Sequence, residues 1–124
     1  MYDGIYSVLV NEALTKDVFR MVLSGDTSYI TAPGQFVEIA LEGFFLRRPI
    51  SICDYDEKTI TLIYKVVGHG TCAMSALRPG DQLHALCALG NGFDTTKSGE
   101  RPLVVGGGVG VPPLYHLTAK LLAE

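Results

Sequence analysis

The run from Thr59 to Val67 constrains the fold more than any other stretch. Ile60, Leu62, Tyr64 and Val66 alternate with Thr59, Thr61, Ile63, Lys65 and Val67. Successive side chains of a β-strand point to opposite faces, so this pattern sorts an all-apolar set from a set that includes Thr and Lys. The spacing predicts a strand with one face in a core and the other toward a cleft. Runs of similar composition cover Ile5 to Leu14, Val18 to Leu23, Gln35 to Leu41, Leu46 to Cys53 and Gln82 to Leu89. Between them lie turn-forming segments: Thr15-Lys16-Asp17, Ser24-Gly25-Asp26, Pro33-Gly34, Glu42-Gly43 and the polar connection Asp54 to Lys58. Short strands joined by such turns predict a mainly β, antiparallel domain. A chain of 124 residues suits one domain or one and a fraction, large enough to bury a core without disulfides.

Past Leu89 the pattern changes. Asp94 to Arg101 is polar and unpatterned, the place for a domain boundary, and Pro102 to Val105 reads as a short strand buried on both faces, as in parallel sheets. It leads into Gly106-Gly107-Gly108-Val109-Gly110-Val111-Pro112-Pro113 and a helix from Leu114 to Ala123. Strand, glycine-rich turn and helix open a dinucleotide-binding unit. The run departs from G-x-G-x-x-G, with Val111 sixth from Gly106 and Pro113 sixth from Gly108. Glycines that merely permit a tight turn under a packed helix are the plain alternative. A complete unit needs a second strand and an acidic residue about 20 residues past the glycines. The chain reaches Glu124, so residues 99–124 read as the start of a truncated domain. The other possibility is that residues 102–124 pack against a second copy, making a homo-oligomer.

Fixed positive charge marks a second feature. In Arg47-Arg48-Pro49-Ile50-Ser51-Ile52, two guanidinium groups stand beside a strand with a small hydroxyl. Planar, forked donors of this kind suit phosphate; the plain reading is an edge strand with solvated arginines. Gly68-His69-Gly70-Thr71 precedes a short helix predicted over Cys72 to Leu77. Backbone N–H groups at a helix start seat phosphate, although Thr71 as a simple N-cap explains the same residues.

Composition narrows the partners. Apolar residues make up 48%, charged residues 19%, and the net charge is -3, which disfavours nucleic acid and anionic membrane. No uninterrupted apolar run approaches the length of a membrane span, and Met1-Tyr2-Asp3-Gly4 lacks a basic lead into an apolar segment, so the chain reads as cytoplasmic. Cys53, Cys72 and Cys87 are odd in number and widely spaced, which suits reduced core thiols rather than disulfides or metal ligands. His69, His84 and His116 read as a loop, a strand and a helix residue, with no general acid or base among them.

Together the motifs resemble a known family. Arg48-Pro49-Ile50-Ser51 is similar to the R-x-Y-S flavin motif of the ferredoxin reductase superfamily. The longer forms Leu46 to Ile52, Leu89-Gly90-Asn91-Gly92-Phe93 and Gly106 to Tyr115 resemble the electron-transfer subunits of type B dihydroorotate dehydrogenases, and the likeness runs over essentially the whole chain. The resemblance implies an antiparallel Greek-key β-barrel that binds FAD over residues 1–98, followed over 99–124 by the first strand and helix of an incomplete α/β NAD-binding domain. In the full-length protein it implies NAD, a 2Fe-2S cluster held by four cysteines beyond this chain, and a catalytic dihydroorotate dehydrogenase partner, with electrons passing from dihydroorotate oxidation to NAD in pyrimidine biosynthesis. Carried over by position, Arg48 contacts the FAD phosphates, Pro49, Ile50 and Ser51 lie along the flavin and ribityl chain, and Ile63, Tyr64 and Lys65 line the other part of the site. Gly70 and Thr71 hold the pyrophosphate, while Gly107, Gly108, Gly110 and Pro112 face NAD. Ile50 stands where the superfamily motif has an aromatic, so stacking by that residue is absent, and Arg47 is a barrel-surface or partner-facing charge. A pyridine-nucleotide:ferredoxin oxidoreductase subunit is a related alternative; a non-catalytic β-barrel interaction module is an unrelated one.

Overall fold

A computed structural model describes residues 2–124. Six strands close into a barrel: β1 (Tyr2–Ala13), β2 (Val18–Ser24), β3 (Phe36–Ala40), β4 (Arg48–Tyr55), β5 (Thr59–Lys65) and β6 (Gln82–Leu89). Their order around the barrel is β1-β2-β5-β4-β3-β6, and every pairing is antiparallel. The jump from β2 to β5 is the Greek-key crossing implied by the family resemblance, and closure leaves no open sheet edge.

Alternation in β5 produces the predicted sorting. Ile60 and Leu62 are fully buried and Tyr64 nearly so, whereas Lys65 is exposed and Thr59, Thr61 and Ile63 are half-buried. The same rule in the other strands brings Tyr6, Val8, Met21, Leu23, Val37, Ile39, Leu83 and Cys87 into one core. Met74 of the helix α1 (His69–Ser75) plugs that core at one end.

Asn11 secures α1. Its side-chain amide donates to the carbonyls of Met74 and Leu77 at 2.8 and 2.9 Å, and its oxygen accepts from the Tyr64 hydroxyl at 2.8 Å. The last carbonyls of a helix have no partner inside it, so one polar residue of β1 satisfies both the helix end and a buried phenol. This fixes where the other end of α1 sits relative to the barrel.

Three expectations need correction. Helix α1 starts at His69 rather than Cys72, with Gly68 as N-cap, so His69 is helical and Thr71 lies inside the first turn. Thr71 Oγ1 accepts from the N–H groups of Val67 and Gly68 at 2.8 and 3.2 Å, reaching back over the start of the helix instead of capping it from outside. Second, Cys72 is exposed, while Cys53 and Cys87 are buried thiols whose pKa burial pushes up. Third, Pro102 to Val105 forms no strand, and Leu103 and Val105 are 87% and 79% exposed. A parallel strand exists only by bonding to neighbours, and none of the six barrel strands offers it a free edge. The helix that follows does form, as α2 (Pro112–Ala123), begun by a proline whose φ suits a first helical position. No helix among the described residues is long and apolar enough to cross a membrane.

Candidate functional site

A cleft of about 340 Å³ opens on the barrel wall between β4, β5 and the start of α1. Arg48, Pro49, Ile50 and Ser51 line it from β4, Ile63, Tyr64 and Lys65 from β5, Val67 and Thr71 from the approach to α1 and its first turn, and Val109 from the glycine run. Strands adjacent in the barrel carry the two segments, which is why residues far apart in sequence share one wall.

The two adjacent arginines have separate fates. Arg47 forks onto the Asp3 carboxylate, with contacts of 3.2 and 3.3 Å, so its charge is paired across the barrel surface. Arg48 has no carboxylate within ion-pair distance among the described residues. One Nη1 proton goes to the Leu46 carbonyl at 2.8 Å, and the guanidinium carbon stands 5.3 Å from the centre of the Phe44 ring. A guanidinium carries five N–H donors, so most of its capacity is uncommitted among the described residues.

Gly70 makes room for it. A Cβ there would come within 1.9 Å of Arg48 Nε and 2.7 Å of its Cζ, far inside any real contact. The glycine therefore lets the guanidinium cross the first turn of α1 at close range, a packing requirement rather than a conformational one. Arg48 thus stands beside Gly70 and the Thr71 segment, and the site places positive charge and helix-start N–H groups together.

Tyr64 departs from its neighbours. Its ring lies in the core and its hydroxyl donates to Asn11, so it meets the cleft through the main chain while Ile63 and Lys65 present side chains. Burial pushes the Tyr64 phenol up to about 12, only partly opposed by the bond to Asn11, and it is neutral at physiological pH. Ser51 makes no side-chain hydrogen bond among the described residues, and Lys65 reaches Asp17 only at 3.9 Å.

The glycine run comes close to the same wall. Gly107, Gly108, Val109 and Pro112 line a second cleft together with Asp17, Val18, Ile63 and Lys65. Ile63, Lys65 and Val109 belong to both clefts. Gly108 has φ +56 and starts a short 3-10 turn through Gly110, which does not line either cleft. Val67 lines the cleft as the alternation of its strand predicts, whereas Val109 as a cleft residue and the Phe44 ring under Arg48 have no mark in their local pattern and acquire a role only when the barrel closes.

Among the described residues, no group of three or more His, Cys, Asp or Glu side chains is gathered as a metal site.

No family model matches the chain. Curated relatives do. The dihydroorotate dehydrogenase B (NAD(+)) electron transfer subunit of Geobacillus sp. (strain WCH70) is 41% identical over 95% of this chain, and that of Bacillus mycoides (strain KBAB4) is 41% identical over 94%. The chain spans about half of these relatives, 49% of each. Among solved structures, the Amycolatopsis reductase GcoB superposes with a TM-score of 0.86 at 26% identity, covering 98% of this chain and 39% of that one. An NADH-dependent reduced ferredoxin-NADP oxidoreductase gives a TM-score of 0.79 at 27% identity, covering 97% of this chain and 45% of the other. Phthalate dioxygenase reductase shares the fold, with a TM-score of 0.74 at 18% identity over 98% of this chain and 40% of its own. The chain is thus a homologue, over nearly all of its length, of the dihydroorotate dehydrogenase B electron transfer subunits, built on the ferredoxin reductase-like barrel.

Proposed function

We propose that residues 1–98 are an FAD-binding domain and residues 99–124 the start of an NAD-binding one, in an electron-transfer subunit that passes electrons from dihydroorotate oxidation to NAD. The observation that carries the reading is the pairing of Arg48 and Gly70: an uncommitted guanidinium crosses a helix start at a distance that no larger residue permits, beside a cleft with an apolar floor. That combination suits a ligand with an anionic end and a flat ring.

In this reading Arg48 and the N–H groups near Gly70 and Thr71 hold the pyrophosphate, by charge-assisted bonds worth roughly 1.5 to 3 kcal/mol. Pro49, Ile50 and Ser51 lie along the ring and ribityl chain, with the Ser51 hydroxyl free to bond a ring heteroatom. Ile63 and Lys65 complete the wall, and Tyr64 contributes main-chain groups. Gly107, Gly108 and Pro112 border the path of the nicotinamide nucleotide, with Gly110 shaping the turn. Bound flavin supplies the redox chemistry, and the chain binds it, orients it and screens one face from water. A 2Fe-2S cluster, a catalytic dihydroorotate dehydrogenase partner and a cytoplasmic location belong to the longer protein in the same reading.

Titrating the purified chain with FAD tests it. A bound-flavin absorbance spectrum and quenched flavin fluorescence are expected, both weakened by Gly70→Ala, which displaces Arg48. A chain that folds but leaves the spectrum of free FAD unchanged would overturn the assignment.

A further inference from the structure

Strand β4 holds more than the cleft. Its pairing with β5 slips by one residue between Ile52, opposite Leu62, and Asp54, opposite Thr61. In an unbroken register Asp54 would face Ile60, which is fully buried, and its carboxylate would point into the core. The extra residue is Cys53, buried directly after the buried Ile52, and the bulge turns Asp54 to the outer surface instead. There its Oδ1 lies 2.7 Å from Nδ1 of His116 on α2. The next residue, Tyr55, packs its ring against the His116 imidazole with centroids 4.4 Å apart and planes 30° apart.

These contacts tie together the two parts of the chain. Helix α2 follows directly on the glycine run, and Val109 of that run lines the cleft together with the β4 motif. One strand therefore carries Arg48 to Ser51 at its start and the attachment point of the second unit at its end.

We infer that Asp54, Tyr55 and His116 form a clamp that sets the position of the glycine run over the cleft, and that the bulge at Cys53 exists to present it. They are positioning residues: none of them lines the cleft. The role in placing the run against bound flavin rests on the FAD reading above, whereas the tether itself does not.

Hydrogen exchange on the 124-residue chain reads the tether without any ligand. His116→Ala and Asp54→Ala each should speed exchange of the α2 amides about fivefold or more, the scale of one lost hydrogen bond, with the β1 to β6 amides unchanged. His116→Asn places an N–H donor near the Nδ1 position and should restore protection; Tyr55→Phe keeps the ring and should have no effect. Unchanged α2 exchange in both alanine variants, with the barrel still protected, overturns the clamp. If Asp54→Ala unfolds the barrel, His116→Ala alone decides, because His116 lies on the helix outside the core.

A second measurement reads the positioning. With FAD bound, His116→Ala should shift the visible band and fluorescence of the flavin, His116→Asn should reverse the shift, and flavin affinity should change less than threefold, within the small effect of a surface substitution. A flavin spectrum indifferent to His116→Ala overturns the positioning role. Failure of the unsubstituted chain to bind FAD overturns the functional reading and the positioning role with it, while the exchange result still judges the tether.

Discussion

Compared with residues 99–124, the barrel shows how differently one chain can settle its apolar residues. In the barrel every strand has two bonded neighbours, and Leu23, Ile39, Ile60 and Leu62 are fully buried. In the C-terminal stretch, residues of equal hydrophobicity stay outside: Leu103 is 87%, Val105 79% and Leu122 84% exposed. Apolar composition is similar in the two. What differs is whether the backbone around them has bonded neighbours. Strands β1 to β5 each pair with a strand next to them in sequence and β6 closes the barrel between β3 and β1, whereas a parallel strand needs a neighbour reached by a crossover, and none is present for Pro102 to Val105 among the described residues.

The largest expected effect tests that contrast directly. Leu62→Ala should cost about 2 to 5 kcal/mol in denaturant unfolding, and Leu122→Ala less than about 0.5 kcal/mol. Comparable costs would mean that the second region contributes to the folded core after all. Next comes the polar link between β1, β5 and α1. Asn11→Leu removes the acceptor of the Tyr64 hydroxyl and the side-chain donor to the Leu77 and Met74 carbonyls, the latter keeping only the Leu77 N–H, and should cost about 2 to 3 kcal/mol. A loss under about 0.5 kcal/mol would show that α1 is held by Met74 packing alone.

Within the cleft the comparison narrows to adjacent arginines. Arg48→Ala should weaken FAD binding by roughly ten- to a hundredfold, the equivalent of a charge-assisted contact, with little change in the unfolding midpoint. Arg47→Ala removes an exposed pair with Asp3 and should alter affinity less than about threefold. Equal effects would abolish the distinction between the paired and the uncommitted guanidinium. The smallest effect concerns the end of β6, where Ala88, though not a glycine, has a positive φ of 61. Ala88→Gly relieves that conformation at an entropic cost, for a net stabilisation of up to about 1 kcal/mol seen as a higher unfolding midpoint.

Much of the site could be read from local pattern. The alternation of Thr59 to Val67 identified a core face and a cleft face, and Ile63 and Lys65 do line the cleft. The charge of Arg47 to Ile52 and the turn chemistry of Gly68 to Thr71 mark two separate phosphate seats, which only the family resemblance joins in one site, and Arg48 touches the Gly70 segment. Period two also explains why Tyr64 differs from the residues on either side of it. Pattern could not separate Arg47 from Arg48, because the difference lies in Asp3, 44 residues away in sequence. Nor could it find Asn11 or Phe44, whose partners lie on other elements, or Asp54, whose outward direction depends on a one-residue slip in pairing.

The 124 residues by themselves determined the strands, their turns and the apolar set that closes the barrel, since those follow from alternation and backbone preference within a few residues. Only the tertiary structure decided which charges are paired, which glycine admits a guanidinium, and which residues of β4 meet His116 of α2. These outcomes depend on distances between elements that meet only when the barrel closes, and side-chain interactions of a few ångströms have no signature in local sequence.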